Sequence, residues 1–254
     1  VSREEVLRVL APEGTAVLGS EVLVKPRPAT LDDWPHQLYD ASGNAVSKDK
    51  ALQPPLQHLQ WVGGPRWSRH HDKMSSVSAC VSGDGKVFYI FDEGDTFTPY
   101  LPCHWQLIAR DAFNGVVLWK RDIADWGWGA WNPQLGSVDW RRMGSQRTAL
   151  PATVARRLVA AGDRVYVTLG YQAPVTALDA ATGRTLLTYA GTERADEILH
   201  LDGRLVVCIR QADDTAAAPA GKTARRGQPA GTAVVAAFEA ATGRRLWQTA
   251  PGAV

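Results

Sequence analysis

The stretch Val235-Ala-Ala-Phe-Glu-Ala-Ala-Thr-Gly-Arg-Arg-Leu-Trp247 decides the fold, because the chain carries it more than once. Val175-Thr-Ala-Leu-Asp-Ala-Ala-Thr-Gly-Arg-Thr-Leu-Leu187 is a second copy. Leu107-Ile-Ala-Arg-Asp-Ala-Phe-Asn-Gly-Val-Val-Leu-Trp119 is another, with Phe-Asn in place of Ala-Thr. The acidic residue of the turn falls at Asp111, Asp179 and Glu239, and the glycine at Gly115, Gly183 and Gly243. Each copy reads as a hairpin. An apolar strand enters, a short turn reverses it, and a second strand leaves; the glycine supplies the positive φ that such a turn needs. The acidic, Asn and Thr side chains can satisfy the turn's backbone.

Upstream of each copy lies another β-branched and aromatic run opened by its own turn. These are Gly83-Asp-Gly-Lys-Val-Phe-Tyr-Ile-Phe91, Gly162-Asp-Arg-Val-Tyr-Val-Thr-Leu169 and Asp202-Gly-Arg-Leu-Val-Val-Cys-Ile209. A unit of strand, loop, strand, tight turn and strand cannot bury both faces alone. Stacking such units around an axis does so, which points to a propeller.

The repeat resembles the PQQ-like β-propeller repeat, a family that includes quinoprotein alcohol dehydrogenases and an outer-membrane assembly lipoprotein. The resemblance covers roughly residues 58–250. It implies an all-β fold, a partial β-propeller of four-stranded antiparallel blades with a short α/β segment at the N-terminus. It also implies that Trp119 and Trp247 pack between blades, with Leu187 in that place in the middle copy. Trp34-Pro-His-Gln-Leu-Tyr-Asp-Ala-Ser-Gly-Asn-Ala-Val46 and His58-Leu-Gln-Trp-Val-Gly-Gly-Pro-Arg-Trp-Ser-Arg-His-His-Asp-Lys-Met74 resemble one bacterial subgroup whose propellers sit in long multidomain chains. At roughly 40–60 residues per blade, 254 residues would supply four or five blades of a ring. The expectation is therefore a fragment whose remaining blades lie in the same parent chain.

The opening stretch differs. Ser2-Arg-Glu-Glu5 is a capping-box pattern, and Val6, Leu7, Val9 and Leu10 give a short helix an apolar face. Ala11-Pro-Glu-Gly14 stops it before a strand at Thr15–Leu18. This helix–turn–strand resembles the end of a class I SAM-dependent methyltransferase, although Glu13 departs from the Pro-Gly-Gly turn and the glycine loop that would hold SAM is absent. The division expected is residues 1–24 as the tail of a methyltransferase-like domain, 25–35 as a proline-rich linker, and 36–254 as propeller blades.

Composition narrows the function classes. Lys+Arg 28 against Asp+Glu 26 leaves +2, which argues against a dedicated nucleic-acid binder. No run of 18 apolar residues exists, so no transmembrane helix is expected. Three separated cysteines form neither a disulfide framework nor a CxxC pair.

Two clusters carry candidate chemistry. Arg66, Trp67, Arg69, His70, His71 and Asp72 are either a polar loop at a propeller mouth or a binding cluster. Adjacent strand residues face opposite ways, so His70 and His71 cannot share one ion in regular backbone. Trp126, Trp128 and Trp131 alternate with glycine; their rings would either stack on a sugar or quinone or cover a blade edge. Arg141, Arg142 and Arg147 follow them. Asp92, Glu93 and Asp95 read as a solvated turn. Ala212–Gly231 reads as a flexible insertion.

The family resemblance implies PQQ and calcium as cofactors of an oxidoreductase reading. Against it, no vicinal Cys pair and no CxxCH is present, and no Asp can be assigned as a catalytic base. The leading expectation is a binding or scaffolding module of a periplasmic or cell-envelope protein, recognising an unknown protein or glycan partner. A PQQ/Ca-dependent alcohol or sugar dehydrogenase is the alternative, and methyl transfer elsewhere in the parent a third reading.

Overall fold

The computed structural model describes residues 2–52, 55–56, 59–64, 76–95, 102–131, 151–211 and 232–252. Among them three four-stranded antiparallel sheets follow one another along the chain. The first comprises β3 (Val77–Gly83), β4 (Lys86–Asp92), β5 (Trp105–Asp111) and β6 (Val117–Asp122). The second comprises β7 (Leu158–Ala161), β8 (Arg164–Thr168), β9 (Val175–Asp179) and β10 (Thr185–Thr188). The third comprises β11 (Ala195–Leu201), β12 (Arg204–Arg210), β13 (Ala233–Glu239) and β14 (Arg245–Gln248). Each sheet is a meander in which only sequential neighbours pair. The first strands β3, β7 and β11 approach one another, which makes them the inner strands of a fan. The sheets are blades of a partial propeller, and no sheet closes on itself.

Three blades appear among the described residues, fewer than the four or five expected from length. Residues 2–52 are spent on a helix, a hairpin and an irregular segment.

Burial explains the layering. Inner and middle strands carry the buried side chains, among them Ile90, Leu107, Val165, Leu178, Leu205 and Ala236, all less than 1% exposed. Outer strands are largely exposed, as in β14. Apolar residues between neighbouring blades form two clusters, one joining blades one and two and one joining blades two and three. Full burial of each such Ile or Leu contributes about 1.5–3 kcal/mol, so the blades are held face to face by side chains.

The repeat turns behave as their sequences require. Gly115, Gly183 and Gly243 have φ of 74°, 70° and 75°. Each donates its N–H to the carbonyl of Asp111, Asp179 or Glu239 at 2.8–2.9 Å. The register of the following strand shifts at each of these turns, a bulge that tightens the local twist. Asp111 Oδ1 accepts from the N–H groups of Phe113 and Asn114, whereas Asp179 Oδ1 accepts from Thr182 N and Oγ1.

Positive φ is not the only reason for glycine at these places. A Cβ on Gly183 would lie 2.7 Å from the Trp119 ring of the preceding blade. Trp119 Nε1 donates to the Ala180 carbonyl at 2.9 Å. Trp61 repeats this on the first blade: its Nε1 donates to Ala112 O at 2.8 Å, and a Cβ on Gly115 would lie 2.5 Å from its ring. Leu187 takes the same place against Gly243 at 3.1 Å. Trp61 therefore fills the position of a repeat tryptophan, although no blade strand carries it. Trp247, at the outer edge of the third blade, is 49% exposed.

The N-terminal segment folds as helix α1 (Arg3–Val9) followed by the antiparallel hairpin β1 (Thr15–Leu18) and β2 (Glu21–Val24). Ser2 Oγ accepts from Glu5 N at 3.2 Å. Glu5 turns outward to Arg8 instead of closing the capping box. Past the proline-rich stretch, Trp34-Pro35-His36 crosses the three inner strands one residue per blade. Ser82 N donates to Trp34 O at 2.8 Å, Ala160 N to Pro35 O at 3.0 Å, and His200 N to His36 Nε2 at 3.1 Å. These N–H groups belong to the free edges of the inner strands, and the crossing segment satisfies them.

Candidate functional site

The loops at the end where the inner strands begin build an upper face. Residues 124–130 follow β6, and residues 169–173 join β8 to β9. Tyr171 N donates to Asp125 O at 3.1 Å and ties the two loops together. Between them lies a cavity of about 590 Å³, lined by Asp125, Gly129, Leu169, Gly170, Tyr171 and Gln172 among others. That is within the usual size of a small-molecule site.

Tyr171 on its wall belongs to an aromatic cluster beside it. The Trp131 ring meets Trp105, Trp126 and Tyr171 edge-on, with centroids 6.1–6.2 Å apart. Trp126 Nε1 donates to Ser78 Oγ at 3.2 Å. Gly127, at φ 102°, leaves room for Trp105, whose Nε1 would be 2.7 Å from a Cβ there. Trp126 and Trp131 are each only 7% exposed, so their rings support the loop from beneath and do not present flat faces to a partner. The apolar area of two indoles is stabilised by burial, and the alternating glycines let the chain fold back over them. Trp128 occupies a short helix, α2 (Trp128–Trp131).

An ion network braces the same face near the axis. Arg157, 2% exposed, donates to Tyr171 O at 2.7 Å and to Asp196 Oδ1 at 3.1 Å, and its guanidinium lies 4.6 Å from the Tyr171 ring centroid. Arg210 pairs with the other oxygen of Asp196. Burial pulls the Arg157 pKa below its ordinary value, opposed by Tyr171 and Asp196. Two arginines on one carboxylate tie blade two to blade three.

The acidic triplet is more structural than expected. Asp92 is 1% exposed and its Oδ1 accepts from Gly94 N and His104 N at 3.0 and 2.8 Å. Buried carboxylates persist where backbone N–H groups satisfy them. Glu93 pairs with Lys120 at 2.6 Å. Of the triplet only Asp95 is exposed.

At the opposite end a second cavity, about 510 Å³, lies between residues 33–42 and the inner-strand hairpins, with His36, Asp40, Ser42 and His200 on its wall. The His200 ring stacks on Tyr166 with centroids 5.5 Å apart. Burial, with His200 beside it, pushes the His36 pKa down to about 4. This site was missed in the sequence, where His36 is a single histidine in a proline-rich stretch.

Arg66, Trp67, Arg69, His70, His71 and Asp72 lie outside the described residues, as do Arg141, Arg142, Arg147 and Ala212–Gly231. Among the described residues no group of three or more His, Cys, Asp or Glu side chains converges to hold a metal. No helix among them is long and apolar enough to cross a membrane.

Residues 106–253 match the family described as outer membrane protein assembly factor BamB. No curated protein matches the chain. Among solved structures, BamB from Moraxella catarrhalis is 16% identical with a TM-score of 0.35, over 65% of this chain and 33% of that one. A europium-containing methanol dehydrogenase is 13% identical with a TM-score of 0.44, over 86% of this chain and 32% of that one. Quinohemoprotein alcohol dehydrogenase from Comamonas testosteroni is 16% identical with a TM-score of 0.41, over 85% and 27%. The chain thus spans about a third or less of these structures. The family match begins after the helix and hairpin of residues 3–24, so it lends nothing to the methyltransferase resemblance. It covers more than half of the chain and coincides with the three repeat turns, and the chain therefore belongs to the PQQ-like β-propeller family of outer membrane protein assembly factor BamB.

Proposed function

We propose that this region is a binding and scaffolding module of a larger envelope protein. The observation that carries the reading is the upper face itself. A cavity of about 590 Å³ has Tyr171 on its wall, and Tyr171 is packed against Trp131 and held through its carbonyl by Arg157. A cavity braced in this way suits recognition of a protein or glycan partner. Membership in the family of an outer-membrane assembly factor supports a periplasmic or envelope setting. We further propose residues 1–24 as a separate tail, 25–35 as a linker and 36–254 as the propeller portion. The hydrogen bonds from Trp34–His36 to all three blades support a junction close to that point.

The alternative is a quinoprotein oxidoreductase holding PQQ and calcium. Calorimetric titration with PQQ, with and without Ca²⁺, separates the two. Saturable one-to-one uptake that needs Ca²⁺ would replace the scaffold reading by the oxidoreductase. No heat of binding from the folded protein is the outcome expected.

A further inference from the structure

His36 accepts the His200 N–H through Nε2, and this fixes the chemistry of its ring. A nitrogen that accepts has no proton, so the neutral ring carries its proton on Nδ1. Nδ1 is buried and has no partner among the described residues. A second proton can be added only at Nε2. It consumes the lone pair that holds the His200 amide and sets one N–H against another. The contacts of Trp34 and Pro35 use backbone carbonyls and have no such sensitivity.

We propose that Trp34–His36 is an acid-released latch: protonation of His36 detaches the segment from the third blade and leaves it bonded to the first two. The charged groups around the ring do not rescue the cation. Asp40 favours it electrostatically, yet its Oδ1 already accepts from the Ser42 backbone and hydroxyl, and Lys48 lies nearby. Asp33 is committed to Arg27 at 2.7 Å. From the third blade, His200 opposes the charge, Asp202 acts on His200, and Glu197 pairs with Arg156. His36, Asp40, Ala41 and Ser42 also form a wall common to the lower cavity and a smaller one of about 160 Å³ beside β11. Release of the ring would join the two.

The test is nitrogen-15 NMR of the whole chain, with amide exchange at Ser82, Ala160 and His200. The expected result is a neutral-pH His36 ring protonated on Nδ1. As the ring titrates in acid, protection of the His200 amide falls at least tenfold at the same midpoint, while Ser82 and Ala160 keep theirs. His36→Gln offers a carbonyl acceptor that does not titrate, and its His200 amide stays protected through the same range. A ring protonated on Nε2 at neutral pH would overturn the latch. So would His200 protection that does not change as His36 titrates, or a loss shared equally by all three amides. Should His36→Gln not fold, the tautomer and the exchange of the unaltered protein decide the matter.

Discussion

Tyr189 donates its hydroxyl to the Ala240 carbonyl at 2.5 Å, across the boundary between the second and third blades. At the junction of the first and second blades that carbonyl position is served by an indole, Trp119 on Ala180, and on the first blade by the loop indole of Trp61 on Ala112. Where Leu187 replaces the tryptophan, a tyrosine two residues later on the same strand side supplies the missing donor. The ring is fully buried, and burial raises its pKa well above that of a free phenol, so it remains a donor at any working pH.

Tyr189→Phe keeps the packing and removes only this donor. Arg164 Nη1 still reaches Ala240 O at 3.0 Å, so the carbonyl is not orphaned. Loss of about 1 kcal/mol is expected, read as a lower urea midpoint with an unchanged slope.

Gly183→Ala and Gly203→Ala form a matched pair. Both glycines have φ of 70°, but only Gly183 lies under an indole; nothing is within 4 Å of a Cβ on Gly203. Both variants bear the backbone strain of a left-handed residue, about 1–2 kcal/mol. Gly183→Ala must also displace Trp119 and should be at least about 1 kcal/mol worse. Equal losses in thermal or urea unfolding would show that the indole does not press on the turn.

Trp61→Ala tests whether a loop tryptophan stabilises the first blade as a repeat tryptophan does. Removing an interblade indole should cost about 2–4 kcal/mol, in the same range as Trp119→Ala. A neutral Trp61→Ala would mean that segment 59–64 merely rests on the first blade.

Stability should fall with acid through His36. Its pKa is about 4 when folded and about 6.5 when free. Between those values the unfolded chain binds a proton that the folded one refuses, so unfolding becomes easier as pH drops from about 6.5 to about 4. Below that window the group contributes no further slope. Urea midpoints of the natural protein and of His36→Gln, compared across this range, should converge at neutral pH and separate in acid.

Gly127→Ala places a methyl against Trp105 Nε1 at φ 102°. The cluster of Trp105, Trp126 and Trp131 should loosen, with near-ultraviolet circular dichroism losing part of its tryptophan signal while the far-ultraviolet strand signal persists.

The strands flanking the repeat turns were legible because their pattern is local. β-branched runs end in turn residues, and glycine marks each positive φ. The inner strands β3, β7 and β11 were not located from sequence. Residues such as Ser78, Ala160 and Glu197 carry no clean alternation, since these strands pack on neighbouring blades and on a crossing segment at once. The aromatic loop was legible as an oddity but not in its orientation. Whether Trp126 and Trp131 face a partner or the core depends on what lies beneath them, and Trp105, Ser78 and Tyr171 come from other parts of the chain.

The sequence by itself determined the repeating turn, the blade-like unit and the balance of charge, because each is set by residues within a few positions of one another. Only the tertiary structure decided that Trp61 serves a blade it does not belong to, that Tyr189 stands in for an absent indole, and that His36 reaches His200 across the axis. Those pairings join residues 51, 51 and 164 positions apart. No local pattern encodes them; they arise when packed blades bring free backbone groups within reach of a side chain that can satisfy them.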